Sequence, residues 1–222
     1  MGIELTTEPE ECTLLCAPRI LRTRKFLAAL AVHPTVVSTA YLDYALQHKK
    51  LNATEAFPLI DRGAEERFGI RLEKSIDRAI VNKQRLLRGW TIYVTVQVPG
   101  GLATYQHLVK MNGGNALPYT GRDGLAIQKR RKSVEEDEDA GPESQNQGGD
   151  EETQYAYLVS GTEKEDVKIW DAFREAVRTK GMEPRITKTD WLLNLCMDQR
   201  ISWDERWELK EDLVPGVGHR RR

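Results

Sequence analysis

Four cationic side chains within seven residues separate a short apolar segment from an apolar helix. Arg19, Arg22, Arg24 and Lys25 follow "TLLCAP" (13–18), and "FLAAL" begins directly after them. A helix N-terminus presents backbone N–H groups that have no partner within the helix, so an added cation there favours an anion such as a phosphate or a carboxylate. The pattern therefore predicts an anion site, and the alternative interpretation is a solvated helix start.

The sequence lacks the residue patterns of disulfide frameworks, metal sites, nucleotide sites and catalytic sites. Cys12, Cys16 and Cys196 are odd in number and without paired spacing, which argues against a disulfide framework and against a zinc site. The four histidines are scattered, and no glycine-rich phosphate loop opens a helix. No nucleophile and base stand in a recognisable pattern. The sequence thus predicts no catalytic residue, no metal and no cofactor, and an α/β enzyme is the least favoured class.

Composition limits the remaining classes. A chain of 222 residues suits one large domain or two domains of about 100 residues each. Hydrophobic residues make up 40% and charged residues 30%, which is typical of globular proteins. The formal net charge of −1 gives no global field that would attract nucleic acid, and the apolar runs are too short to span a membrane. We expect neither sequence-specific nucleic-acid binding nor membrane insertion.

The cationic cluster lies in a series of alternating strands and helices. Strands are predicted at "ECTLLCA", "TVVST", "GWTIYVTVQV" (89–98), "NALPY", "YAYLVSG" and "EPRIT". Helices are predicted at "RTRKFLAALAV", "TAYLDYALQHK" with Thr39 as N-cap, "RLEKSIDRAIVNK", "GGLATYQHLVKMN", one long helix around "VKIWDAFREAVRTKG", and "KTDWLLNLCMDQR". Residues 122–152 are acidic and lack aromatic side chains, so they are predicted to be disordered.

The two halves of the chain resemble each other at a spacing of 150 residues. "TAYLDYALQHKKL" (39–51) aligns with "TDWLLNLCMDQRI" (189–201), which places Tyr41 opposite Trp191. In each half an apolar strand and a helix precede this segment. Such self-similarity predicts two copies of one α/β unit with parallel strands covered by helices, and it predicts that Tyr41 and Trp191 are core residues.

These residues resemble a known family. "ECTLLCAPRILRTRKFLAALAVHPTVVSTAYLDYAL" resembles the first module of a phosphopeptide-binding tandem BRCT pair, and "ERFGIRLEKSIDRAIVNKQRLLRGWTIYVT" resembles the linker and the first strand of the second module. The chain is most similar to the C-terminal pair of the fungal regulator-of-Ty-transposition scaffolds, and also to pairs in the mediator of DNA damage checkpoint and PAX-interacting protein. The resemblance covers residues 11–121 and 153–207.

The resemblance implies the domain organisation. It implies an α/β fold of two BRCT modules, each a small parallel sheet flanked by helices, joined by a helical linker. The first module spans 1–58, the linker 59–86, and the second module 87–210 with the acidic insertion 122–152. The first module starts at a strand in "GIELT", so it is expected to lack its first strand and first helix.

The resemblance also implies roles for the cationic cluster. Lys25, with Thr23 as the helix cap, corresponds to the phosphate-binding position. Arg22 corresponds to the arginine that meets the residue three beyond the phosphoserine, or that residue's free carboxylate, and Asp190 corresponds to the acid that orients this arginine. Arg19 and Arg24 are interpreted as solvated. The hydroxyl and the N–H that complete the family's phosphate site lie on the missing strand.

Two functions follow from the resemblance and stay open. The first is a phosphoprotein-binding scaffold of the nuclear DNA damage response, which reads a phosphoserine near a free C-terminus and has the damage-marked histone tail and other DNA repair proteins as partners. The second is a phospho-independent interaction or structural BRCT pair, which the missing strand favours. "KRRK" (129–132) is a candidate nuclear localisation patch.

Overall fold

A computed structural model describes residues 3–32, 34–121 and 153–210 of the chain. The chain divides into two compact units. Unit 1 comprises Met1–Leu86 and Leu193–Ile201, and unit 2 comprises Leu87–Leu192 and Ser202–Arg222. The predicted disordered insertion 122–152 and the "KRRK" patch lie outside the described residues.

Unit 1 is built on a parallel sheet that has two strands in the part of the chain described. Strand β1 (Leu14–Ala17) pairs with β2 (Thr35–Ser38), with Leu14 opposite Thr35. The helices of this unit are α1 (Arg24–Ala31), α2 (Ala40–His48), α3 (Arg62–Phe68) and α4 (Leu72–Asn82). Residues 193–198 of a later helix also belong to unit 1.

Helix α1 forms the centre of the unit 1 core. Every residue from position 26 to position 31 is buried. Leu27 and Leu30 are fully buried, and each contributes about 1.5–3 kcal/mol of hydrophobic stabilisation. Only the first turn of the helix, with Arg24 and Lys25, reaches solvent. The cations therefore mark the exposed end of an otherwise buried helix.

Unit 2 contains a four-stranded parallel sheet in the order β4-β3-β5-β6. Its strands are β3 (Thr91–Thr95), β4 (Asn115–Tyr119), β5 (Tyr155–Val159) and β6 (Glu183–Thr187). Its helices are α5 (Leu102–Met111), α6 (Lys164–Val167), α7 (Trp170–Arg178) and the first turn of α8 (Thr189–Asp198). Tyr93 of β3 and Trp170 and Phe173 of α7 lie in one buried cluster.

The repeat predicted from the sequence is visible in the two halves of the chain. The element order is β1-α1-β2-α2 in the first half and β5-α6-α7-β6-α8 in the second, and Tyr41 of α2 and Trp191 of α8 are both buried, as predicted. However, Leu42 is 41% exposed whereas Leu192, its counterpart in the repeat, is 0% exposed. The described part of unit 1 supplies a sheet of two strands instead of four, so α2 has less surface on which to pack.

Several predicted elements differ from the structure. Residues 3–6 of "GIELT" form no strand, because no neighbouring strand supplies ladder hydrogen bonds to them. The long helix predicted around "VKIWDAFREAVRTKG" is divided into α6 and α7 by a tight turn in which the Ile169 N–H bonds the Asp166 carbonyl at 3.2 Å. Strand β3 ends at Thr95, since the chain turns there. Thr39 occupies the N-cap position of α2 without a capping side-chain hydrogen bond.

Candidate functional site

The loop that carries Arg22 is fixed by a carboxylate from the start of α3. Asp61 Oδ2 accepts the backbone N–H of Ile20 at 3.1 Å, and Asp61 Oδ1 accepts the N–H of Ala64 at 3.0 Å. The second bond caps the N-terminus of α3, and Ile20 is itself buried. One side chain therefore ties the segment before α1 to the start of α3.

The start of α1 has the local geometry of an anion site. Thr23 is extended (φ −84°, ψ 151°), and its hydroxyl accepts the N–H of Phe26 at 3.4 Å, so the predicted cap is present. Lys25 is exposed at the second helical position. The other N–H groups of the first turn have no partner within the helix, and they carry the positive end of the helix dipole. Donors and an ammonium group are thus available on the same turn.

Arg22 is oriented by an aromatic ring. Its guanidinium carbon lies 5.3 Å from the centre of the Phe68 ring, at the last residue of α3. Arg22 is half-buried, and a guanidinium held over a ring face gains cation–π stabilisation. The planar guanidinium can donate two parallel N–H bonds to a carboxylate, which an ammonium cannot do. The stacking restricts the directions in which those donors point.

The predicted site residues are distributed over both units. Arg22, Thr23 and Lys25 follow one another at the entrance to α1 in unit 1. Asp190 is the exposed second residue of α8 and belongs to unit 2, so its role in orienting Arg22 stays a prediction. The roles of Lys25 and Arg22 also stay predictions. Arg19 and Arg24 are exposed, as expected of solvated side chains.

Two positioning residues were missed by sequence reasoning. Asp61 precedes a helix, a position that favours an N-cap, but its bond to Ile20 spans 41 residues and leaves no local signal. Phe68 lies in "ERFGI", and an aromatic residue before a glycine indicates only the apolar end of a helix. Both contacts depend on the tertiary placement of α3.

A buried carboxyl group, that of Asp166, lies at the carboxyl ends of the unit 2 strands. Asp166 is 2% exposed and lies beside Gly161, where a Cβ atom would come within 2.5 Å of Asp166 Oδ2. Burial raises the pKa of Asp166 and the charges of Glu163 and Glu165 add to this, while the Thr95 hydroxyl and the Gly161 N–H lower it. The Asp166 side chain fills the space beside Gly161, so we do not propose an anion site at this end of the unit 2 sheet.

None of the helices in residues 3–32, 34–121 and 153–210 is long and apolar enough to cross a membrane. Nor do three His, Cys, Asp or Glu side chains in this part of the chain come together as a metal-binding group.

Comparison with known proteins identifies the fold. Residues 1–59 match the family model of the regulator of Ty1 transposition protein 107 BRCT domain. The crystal structure of the S. pombe Brc1 BRCT5-BRCT6 domains aligns with a TM-score of 0.65 at 24% identity, and the alignment covers 94% of this chain and 87% of that chain. The fold is that of a tandem BRCT pair. The BRCT resemblance noted in the sequence is therefore confirmed.

Two further proteins are similar to this BRCT pair, one in sequence and one in structure. BRCT-containing protein 1 of Schizosaccharomyces pombe is 33% identical over 116 residues, which cover 51% of this chain and 14% of that protein. The chain thus spans about a seventh of the length of this relative. The structure of Rtt107p in complex with a phosphorylated histone aligns with a TM-score of 0.61 at 17% identity, covering 92% of this chain and 79% of that one.

Proposed function

We propose that this BRCT pair is a phosphoprotein-binding scaffold module of the nuclear DNA damage response that reads a phosphoserine close to a free C-terminus. The observation that carries the proposal is the entrance to α1, where Thr23 caps the helix and Lys25 is exposed on its first turn. Rtt107p, which shares the fold, forms a complex with a phosphorylated histone. A phosphorylated histone tail is therefore the first candidate ligand, and other DNA repair proteins are further candidate partners.

Each site residue has a separate task in this proposal. The Lys25 ammonium and the N–H groups of the first turn bind the phosphate, because charge-assisted bonds to a phosphate are stronger than bonds between neutral groups. Arg22, stacked on Phe68, binds the free carboxylate three residues beyond the phosphoserine. Asp190 of unit 2 restricts the orientation of Arg22. The proposed function is binding, without a catalytic step.

A titration with matched peptides tests the proposal. A phosphoserine peptide that ends three residues later in a free carboxylate is compared with its unphosphorylated form by fluorescence anisotropy. The proposal predicts a clear preference for the phosphorylated peptide, which weakens as salt rises because exposed charges are screened. Equal affinity for the two peptides would contradict a phosphate-reading role.

A phospho-independent interaction module is the second candidate function. The observation in its favour is the apolar surface of α2, where Leu42 and Leu46 are exposed although their counterparts in the repeat, Leu192 and Cys196, are fully buried. An apolar patch of this kind can contact a protein without any phosphate. Tight binding of a protein partner that survives phosphatase treatment and Lys25→Glu, but not Leu46→Lys, would support this function.

A further inference from the structure

A charged cleft lies in unit 1 and includes none of the residues of the α1 entrance. It has a volume of about 630 Å³, and its walls come from α3, the first turns of α4 and the end of α8. All of its lining residues belong to unit 1. Three acidic side chains line it together with five cationic ones, which gives a net charge of +2 in a chain whose net charge is −1. The cations are Arg62, Arg71, Lys74, Arg78 and Arg200.

A buried carboxylate organises one wall of the cleft. Glu65 Oε1 accepts the N–H of Leu72, the first residue of α4, at 3.0 Å, and Oε2 accepts from Arg62 at 3.0 Å and from Arg71 at 3.4 Å. The Leu72 N–H, followed by the charge and hydrogen bond of Arg62 and the charge of Arg71, lowers the pKa of Glu65 although burial opposes this. The carboxylate therefore stays ionised near neutral pH and restrains two guanidinium groups.

A second buried carboxylate organises the opposite wall. Asp198 accepts from Arg78, which also donates to the Asp198 carbonyl at 2.9 Å, and it accepts from Nε of Arg200 at 3.1 Å. Arg200 uses Nε for this bond, its terminal nitrogens form no hydrogen bond with the residues that the structure describes, and its side chain is 58% exposed. The guanidinium is thus held in place while most of its donors face solvent.

Lys74 adds a positive charge to the cleft without an ion-pair partner among the described residues. It is exposed on the first turn of α4, and it forms no ion pair with the described residues. The four arginines of the cleft share the two carboxylates of Glu65 and Asp198, which leaves them an excess of positive charge, and the ammonium of Lys74 adds to this excess. A ligand that brings negative charge to this position would complete the balance.

We propose that this cleft binds an acidic peptide segment of a partner protein, with its carboxylates on Arg71, Arg200 and Lys74. Arginine clusters with donors free for oxyanions are a recurrent means of recognising acidic peptides. A nucleic-acid strand fits less well, because Glu65, Glu66 and Asp198 lie among the cations and would repel closely spaced phosphates. A peptide can instead place its acidic residues only where the cations are.

The test uses the whole chain and a fluorescein-labelled peptide of alternating glutamate and glycine, titrated at low ionic strength. Lys74→Glu is expected to raise the Kd at least about tenfold, equivalent to about 1.4 kcal/mol. Lys50→Glu makes the same charge change at another exposed lysine of unit 1 and should alter the Kd less than about twofold. Circular dichroism of each variant checks the fold.

A further variant separates this site from the phosphate site at the entrance to α1. Lys25→Glu should leave binding of the glutamate peptide unchanged, while Lys74→Glu should leave phosphopeptide binding unchanged. Three results would overturn the proposal: no measurable binding, equal loss in the Lys74 and Lys50 variants, or tighter binding of a single-stranded oligonucleotide that is also abolished by Lys74→Glu.

Discussion

Asp61 accepts the backbone N–H of Ile20 at 3.1 Å, a bond that joins the segment before α1 to the start of α3. The same carboxylate caps α3, and α3 ends at Phe68, on which the guanidinium of Arg22 is stacked. The position of Arg22 is thus set twice through one helix, once by the backbone of its own loop and once by its side chain. The geometry of the proposed site depends on a residue to which no ligand-binding role is assigned.

Replacing Asp61 by alanine should therefore weaken binding without changing any cation. Loss of the cap and of the bond to the buried Ile20 N–H should reduce the free energy of unfolding by about 1–3 kcal/mol. Phosphopeptide affinity should fall as well, because Arg22 and Thr23 lose their fixed positions. Urea unfolding measures the change in stability, and fluorescence anisotropy measures the change in phosphopeptide affinity. Asp77→Ala, at an acid of α4 outside this site, is the control and should change neither by much.

The second prediction concerns the free carboxylate of the ligand. Arg22→Ala should reduce the preference for a peptide with a free C-terminus over an amidated peptide, while leaving a weaker phosphate interaction. Asp190→Ala should act in the same direction with a smaller effect, because the role proposed for Asp190 is only to orient the guanidinium. Isothermal titration with the two peptides measures this preference. If amidation has no effect on the wild-type chain, Arg22 does not bind the carboxylate.

Asp166 should make the stability of unit 2 depend on pH. Burial raises its pKa in the folded state above the ordinary value of 3.8, so the folded chain holds the proton more tightly than the unfolded chain does. Stability must then fall as pH rises from the ordinary aspartate range through the raised pKa. Asp166→Asn removes this titration and should gain stability relative to wild type across that window. Urea unfolding at a series of pH values gives the free energy of unfolding of the wild type and of Asp166→Asn as a function of pH. The two curves should converge in acid, and parallel curves would exclude the effect.

Hydrogen exchange should distinguish the two units. In the part of the chain described, β5 is paired on both sides, by β3 and β6, whereas β1 is paired only with β2. We expect the slowest exchange in β3 and β5 and faster exchange in β1 and β2, because a sheet of two strands opens more easily. Amide exchange followed by mass spectrometry measures this order. Equal protection of β1 and β5 would show that unit 1 is stabilised by contacts other than its sheet.

Local sequence patterns predict the helix and the cap of the site, but they do not predict the contacts that hold Arg22 in position. The periodicity of "FLAAL" and the threonine before it predict α1 and its cap, because both signals lie within one helix. The contact between Asp61 and Ile20 and the stacking of Arg22 on Phe68 are long-range, so no local pattern indicates them. The division between α6 and α7 was also missed, since the sequence there remains amphipathic through the tight turn.

The most direct test of the account is the effect of Lys25→Glu on phosphopeptide binding, measured beside Lys50→Glu. The account predicts that Lys25→Glu weakens binding of the phosphoserine peptide by more than about tenfold, about 1.4 kcal/mol or more, because a repulsion replaces an attraction at the phosphate. Lys50→Glu, with the same change in net charge, should have little effect. Equal affinities of the wild type and the Lys25 variant for the phosphorylated peptide would contradict the central claim.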